Sequence, residues 1–159
     1  MNKILLSIIF ISSMAVNAET IASCGGLKGQ SYYPHLGAFT DKKNSGWQDD
    51  GITGGKTTIT FDGTGFDILF VDIRGDINSS VSNGADIRLM MVGENSYSLL
   101  SVFQNSTLET YTFWKTNEGK SRYSLTQTKG GSALIPKQSV LVGECTYVEF
   151  DWLEKLLKE

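Results

Sequence analysis

Phe66-Asp67-Ile68-Leu69-Phe70-Val71-Asp72-Ile73 is the stretch in which β-branched and aromatic residues fill both alternating faces. A strand apolar on both sides needs cover on both sides, so this spacing predicts a central strand with the others laid beside it. Just upstream, Thr57-Thr58-Ile59-Thr60-Phe61 reads as a strand, and Asp62-Gly63-Thr64-Gly65 as the hairpin turn that joins the two. Downstream, Arg74 to Gly84 is polar and reads as loop. Ala85 to Val92 then alternates, with Ile87, Leu89 and Met91 opposed to Asp86 and Arg88, as in a half-buried antiparallel strand.

Tyr97 to Phe103, Thr107 to Thr116 and Ser121 to Thr128 continue as strands, separated by Gly93-Glu94-Asn95-Ser96, Gln104-Asn105-Ser106 and Asn117-Glu118-Gly119-Lys120. Thr107 to Thr116 splits Tyr111 and Phe113 onto one face and Leu108 and Trp114 onto the other. Ser139 to Val142 and Cys145 to Phe150 close the series after the Gly130-Gly131 break. Turns this regular, with no helical pattern between them, leave no room for parallel crossovers. The expected fold is all-β: an antiparallel meander forming a barrel or sandwich of about eight strands. Ile68, Phe70, Ile87, Leu89, Val102, Tyr111, Phe113 and Val140 are the expected core.

Asp151 to Glu159 is the one convincing helix after the N-terminal segment. Asp151 can cap it, Glu154 completes a capping-box-like pair, and Trp152, Leu153, Leu156 and Leu157 form an apolar face expected to dock on the β domain. At the other end, Lys28 to Tyr33 reads as a short strand stopped by Pro34. Pro34 to Lys56 lacks periodicity and is rich in turn residues, so it reads as a long loop, a form uncommon unless functional.

Met1-Asn2-Lys3 followed by the apolar run Ile4 to Val16 has the form of a secretory signal peptide, and Val16-Asn17-Ala18 offers small residues at its cleavage positions. The expected division is a signal peptide over residues 1–18 and a single β domain over residues 19–159, with no membrane span after processing. Ile21-Ala22-Ser23-Cys24 has the residue types of a lipoprotein box. It does not continue the apolar run directly, and lipidating Cys24 would strand Cys145 in an oxidising compartment. The processed chain is therefore expected in the periplasm or secreted, as a monomer, with Cys24 and Cys145 disulfide-bonded. It would keep 13 Lys and Arg, the full-length 14 less Lys3, against 17 Asp and Glu. Mild acidity with scattered charges argues against nucleic acid and against an anionic membrane surface.

The familiar catalytic patterns are missing. His35 is the single histidine and no serine sits in a Gly-x-Ser-x-Gly elbow. Two cysteines and one histidine cannot supply the usual zinc pattern, and no cofactor is expected. Gly51 to Thr57 ends like a phosphate-binding loop but has Asp50 where the first glycine belongs and no following helix. Asp72 to Asn78 sets oxygen side chains near a turn without the ligand alternation of a helix-loop-helix calcium site. Paired carboxylates could hydrolyse glycosides, and Asp49 and Asp50 beside Trp47 are the candidates with an aromatic neighbour.

Cys24-Gly25, Tyr32-Tyr33-Pro34, Phe66 to Phe70, Glu109-Thr110-Tyr111-Thr112-Phe113, Ile135-Pro136-Lys137 and Cys145 together resemble the pattern of an uncharacterised group of small exported bacterial all-β proteins. That resemblance implies no activity. The reading of the residues is an exported non-enzymatic binding module for a protein or glycan of the cell envelope. Its expected binding surface is Tyr33, Trp47, Asp49 and Asp50, since loops on rigid β frameworks carry function and Trp gives large contact area at low entropic cost. The alternatives are a proteinaceous inhibitor of an exported hydrolase such as lysozyme and, less favoured, a hydrolase using Asp49 or Asp50.

Overall fold

The computed structural model describes residues 18–36, 42–72 and 74–151. Among them are ten strands: β1 (Glu19–Tyr33), β2 (Gly46–Ile52), β3 (Thr57–Phe61), β4 (Phe66–Val71), β5 (Ile77–Ser79), β6 (Ala85–Gly93), β7 (Ser96–Phe103), β8 (Thr107–Lys115), β9 (Ser121–Lys129) and β10 (Lys137–Val148). They form one sheet, nine of them in the order β5-β4-β3-β1-β10-β9-β8-β7-β6 and β2 paired to β1 off this path, antiparallel throughout and curled into a half-barrel. The fold is all-β, as the alternation predicts. Residues 1–17, 37–41, 73 and 152–159 lie outside the described residues; they carry all but the last residue of the expected leader, the end of the expected central strand at Ile73, and all but the first residue of the expected C-terminal helix. No helix of the described residues is long and apolar enough to cross a membrane.

The middle of the sheet belongs to β1 and β10, not to β4, which lies between β3 and the three-residue β5. The apolar second face of β4 reflects partial cover rather than a central position. Asp67, Leu69 and Val71 on that face are half-buried, and Asp67 accepts from Ser79 Oγ at 2.5 Å and from the Val81 amide at 3.1 Å, tying the segment after β5 to the strand. β1 has fifteen residues where the sequence suggests six, because Cys24-Gly25-Gly26 breaks the alternation without ending the strand. The register shifts there, between Ser23, Cys24 and Leu27, as at a β-bulge that bends a strand and increases its twist. Along its other edge β1 pairs first with β3, through Glu19–Cys24, and then with β2, through Leu27–Tyr33. Much of the expected Pro34–Lys56 loop is therefore strand. Pairing with a long neighbour overrides the poor β propensity of Gln48-Asp49-Asp50-Gly51.

The core gathers on the concave face, where Ile21, Leu27, Ile59, Ile68, Leu99, Phe113, Tyr123, Leu125 and Leu141 are buried. Of the expected core, Ile68, Tyr111 and Phe113 are buried, and Ile87 and Leu89 pack half-buried against the cluster. Phe70 and Val102 are only half-buried, and Val140 is 52 % exposed. Val140 and Leu141 are both apolar, so the sequence leaves the facing of β10 open. The register sends Ser139, Leu141 and Gly143 inward, and a one-residue slip would reverse every side chain. Gly143 is demanded by packing: a Cβ there would lie 2.5 Å from the Tyr123 ring and 2.7 Å from the Gly26 carbonyl oxygen. Cys24 and Cys145 are directly paired across β1 and β10 and form the expected disulfide.

Candidate functional site

The four residues expected to form a binding surface come together on β1 and β2 but divide between two faces. Tyr32 pairs with Trp47 and Gln30 with Asp49, so these side chains share the outer face. Trp47 is 62 % exposed and meets the Tyr32 ring edge-on at 5.6 Å, while Gln30 Nε2 donates to Asp49 Oδ1 at 3.4 Å. Asp50, one residue on, points to the opposite side, where Tyr33 Oη donates to its Oδ2 at 3.1 Å. Two carboxylates on opposite faces of a strand cannot flank one glycosidic bond, which removes the geometric basis for an Asp49–Asp50 hydrolase.

Asp50 is spent on the scaffold. Ser31 Oγ donates to its Oδ2 at 2.6 Å, Lys137 Nζ at 2.7 Å, and the Gly51 amide to Oδ1 at 2.8 Å. Ser31 is bonded in turn to Ser139 Oγ at 2.6 Å, and the Lys137 ammonium lies 5.7 Å from the Tyr33 ring centroid. Burial alone would raise the Asp50 pKa, but hydrogen bonds from Lys137, Ser31 and Gly51, together with the Lys137 charge, outweigh it and hold the carboxyl well below the usual carboxylate range. The cluster clamps β2 and β10 to β1.

A second candidate lies inside the half-barrel. A cavity of about 320 Å³ runs along the concave face of β8 and β9, with Glu109, Tyr111, Tyr123, Leu125, Gln127 and Lys129 on that wall. Leu27 of β1 also faces it, and the opposite wall includes Ile52, Lys56, Thr57, Phe70 and Val71, from the β2–β3 turn and the end of β4. At its foot, Tyr123 Oη donates to the Gly25 carbonyl at 2.6 Å, so the bulge in β1 is held by a buried tyrosine. The volume falls at the small end of the range of about 300–1,000 Å³ usual for ligand pockets.

Two polar residues of the wall, Glu109 and Gln127, belong to a row that the strand register lays across the sheet: Ser101 faces Glu109, Glu109 faces Gln127, Gln127 faces Ser139, and Ser139 faces Ser31. Ser31, Ser101, Glu109 and Ser139 are all buried. Tyr111 Oη donates to Glu109 Oε2 at 2.9 Å and Gln127 Nε2 to Oε1 at 2.5 Å. Burial pushes the Tyr111 hydroxyl far above its ordinary pKa, and the adjoining Glu109 charge adds to the effect, so Tyr111 remains a donor. Ser101 Oγ is buried without a partner among the described residues. None of these residues stood out in the sequence as a site. The available signal was phase: Glu109 shares the alternation of Tyr111 and Phe113, as Gln127 does that of Tyr123 and Leu125, which puts polar groups on the buried face.

The remaining motifs are scaffold. Asp72 Oδ1 accepts from the backbone amides of Arg74 and Asp76 at 2.8 and 3.0 Å, so its carboxylate shapes its own turn. Residues of the phosphate-loop-like stretch divide between the end of β2, a turn and the start of β3. Among the described residues no three His, Cys, Asp or Glu side chains converge to hold a metal. No protein-family model matches the chain, and comparison with curated proteins and with solved structures finds no similar one.

Proposed function

We propose that this is an exported, non-enzymatic binding protein that holds a small ligand in the open half of its half-barrel. The observation that carries the reading is the incompletely filled interior. One part is packed by Tyr97, Phe113 and Leu99, whereas the part beside Glu109 keeps a cavity of about 320 Å³ with a buried carboxylate on its wall. Protein interiors otherwise close to crystal density, and polar groups left facing a void call for a function. Export is supported by the apolar leader, by the Cys24–Cys145 disulfide, and by the start of β1 at Glu19, the residue at which processing is expected to begin the mature chain. The test is the fluorescence of N-phenyl-1-naphthylamine, a neutral dye that brightens on entering apolar space. Wild type is expected to enhance it saturably and Leu125→Trp, which pushes an indole into the cavity, to weaken the enhancement markedly while remaining folded. Undiminished enhancement in a folded Leu125→Trp protein refutes the site.

A second reading rests on the exposed Tyr32–Trp47 pair, whose edge-on rings offer aromatic surface of the kind that anchors a protein or stacks on a glycan. It keeps the hydrolase-inhibitor alternative in view. Retention on immobilised lysozyme that Trp47→Ala abolishes without lowering the melting temperature favours this reading; equal retention by the two proteins refutes it.

A further inference from the structure

Resting on the assignment of the cavity as the binding site, we infer the chemical class of its ligand: a small organic cation, an amine in its ammonium form, whose charge lies against Glu109. Glu109 faces the cavity and is only 8 % exposed, yet both of its partners, Tyr111 and Gln127, are neutral donors. It makes no ion pair with a lysine, arginine or histidine among the described residues. A carboxylate withdrawn from water with only neutral partners lacks a counter-charge, and a bound cation supplies one. The walls suit the same guest. Phe70, Phe103, Tyr111 and Tyr123 all line the cavity, and aromatic faces attract ammonium groups electrostatically. Aromatic rings around one fixed carboxylate form a receptor for an amine with an apolar body.

Two lysines also line the cavity, and neither is ion-paired with Glu109 among the described residues. Lys56 is exposed. Lys129 is half-buried and, two residues beyond Gln127 on the same face, is a diagonal neighbour of Glu109, yet among the described residues the two make no ion pair. Long lysine stems can carry their charges out to water. Glu109 has no such reach: its short side chain is fixed in the middle of the wall by two hydrogen bonds. The second cluster is already neutralised, since Asp50 takes Lys137 as its partner.

The test compares three probes of nearly equal size and shape by calorimetric titration at pH 7: 2-phenylethylamine, protonated at this pH, 2-phenylethanol and 3-phenylpropionate. Wild type is expected to bind the ammonium at least tenfold more tightly than the alcohol and to bind the carboxylate most weakly. Glu109→Gln, which keeps the shape and removes the charge, is expected to level the ammonium with the alcohol, and Leu125→Trp, which narrows the cavity, to weaken binding of all three. Equal binding of ammonium and alcohol by wild type overturns the cation assignment and leaves the cavity standing. Tightest binding of the carboxylate overturns it in favour of an anion held by Lys129. Failure of all three to bind overturns the inference together with the cavity reading. The wild-type ranking decides the matter even should Glu109→Gln fold poorly.

Discussion

Phe113→Ala removes the middle ring of a buried stack, with Tyr97 at 4.7 Å on one side and Tyr123 at 5.8 Å on the other. Phe113 is fully buried, so the whole phenyl group is lost from the core. Roughly 100 Å³ of side chain disappears, and at about 24 cal/mol per Å³ the residual void costs about 2.4 kcal/mol. Loss of the transfer free energy of the ring adds about 2 kcal/mol, for a destabilisation of about 4–5 kcal/mol. Phe70 is a matched control from the stretch whose sequence looks most like a core strand. It is half-buried and already borders the cavity, so Phe70→Ala loses less buried area, opens less new void and is expected to cost about 1–2 kcal/mol. Equilibrium urea unfolding followed by far-ultraviolet circular dichroism measures both. Near-equal losses, or the larger loss at Phe70, would refute the placement of the core on the Tyr97–Phe113–Tyr123 stack.

Gly143→Ala drives a methyl group against the Tyr123 ring and the Gly26 carbonyl; a loss of about 1–3 kcal/mol in the same assay is expected, and an unchanged midpoint contradicts the close approach. Replacing both Cys24 and Cys145 by serine opens a loop spanning 121 positions, which by loop-closure entropy costs about 5 kcal/mol. A double variant as stable as the oxidised protein argues against that estimate. Because the folded-state pKa of Asp50 is depressed, its contribution is fully present above the unfolded carboxylate value of about 4 and fades as pH falls from there toward the folded value. Between pH 6 and pH 2 the urea midpoint of wild type is therefore expected to fall more steeply than that of Asp50→Asn; parallel curves contradict the clamp.

The sequence made the all-β antiparallel class legible because alternation survives wherever one face is buried: β8 and β9 follow their patterns, and β6 follows its own as far as Leu89, where a register shift turns the expected inward Met91 out to solvent. It misread the centre. Phe66 to Val71 looks central because its second face is also apolar, but that face is half-covered by the segment after β5, whereas β1 hides its length behind the Gly25-Gly26 bulge. β2 was illegible for a related reason. Nothing in Trp47-Gln48-Asp49-Asp50 favours a strand until the edge of β1 supplies its backbone partners. Of the expected surface residues, Tyr33 and Asp50 proved to belong to a polar clamp, and Trp47 and Asp49 to the opposite face. The cavity could not be read from the sequence, since a void is what remains once facing walls are fixed. Only the in-phase placement of Glu109 and Gln127 beside buried aromatics hinted at it.

The most direct measurement is a crystal structure of the protein grown with 2-phenylethylamine. The phenyl group is expected between Leu27, Phe70 and Leu125 inside the half-barrel, with the ammonium nitrogen within hydrogen-bonding distance of Glu109. A β2–β3 turn collapsed onto Leu125 with no room for a guest, or the amine seated only on the outer face near Trp47, would contradict this placement.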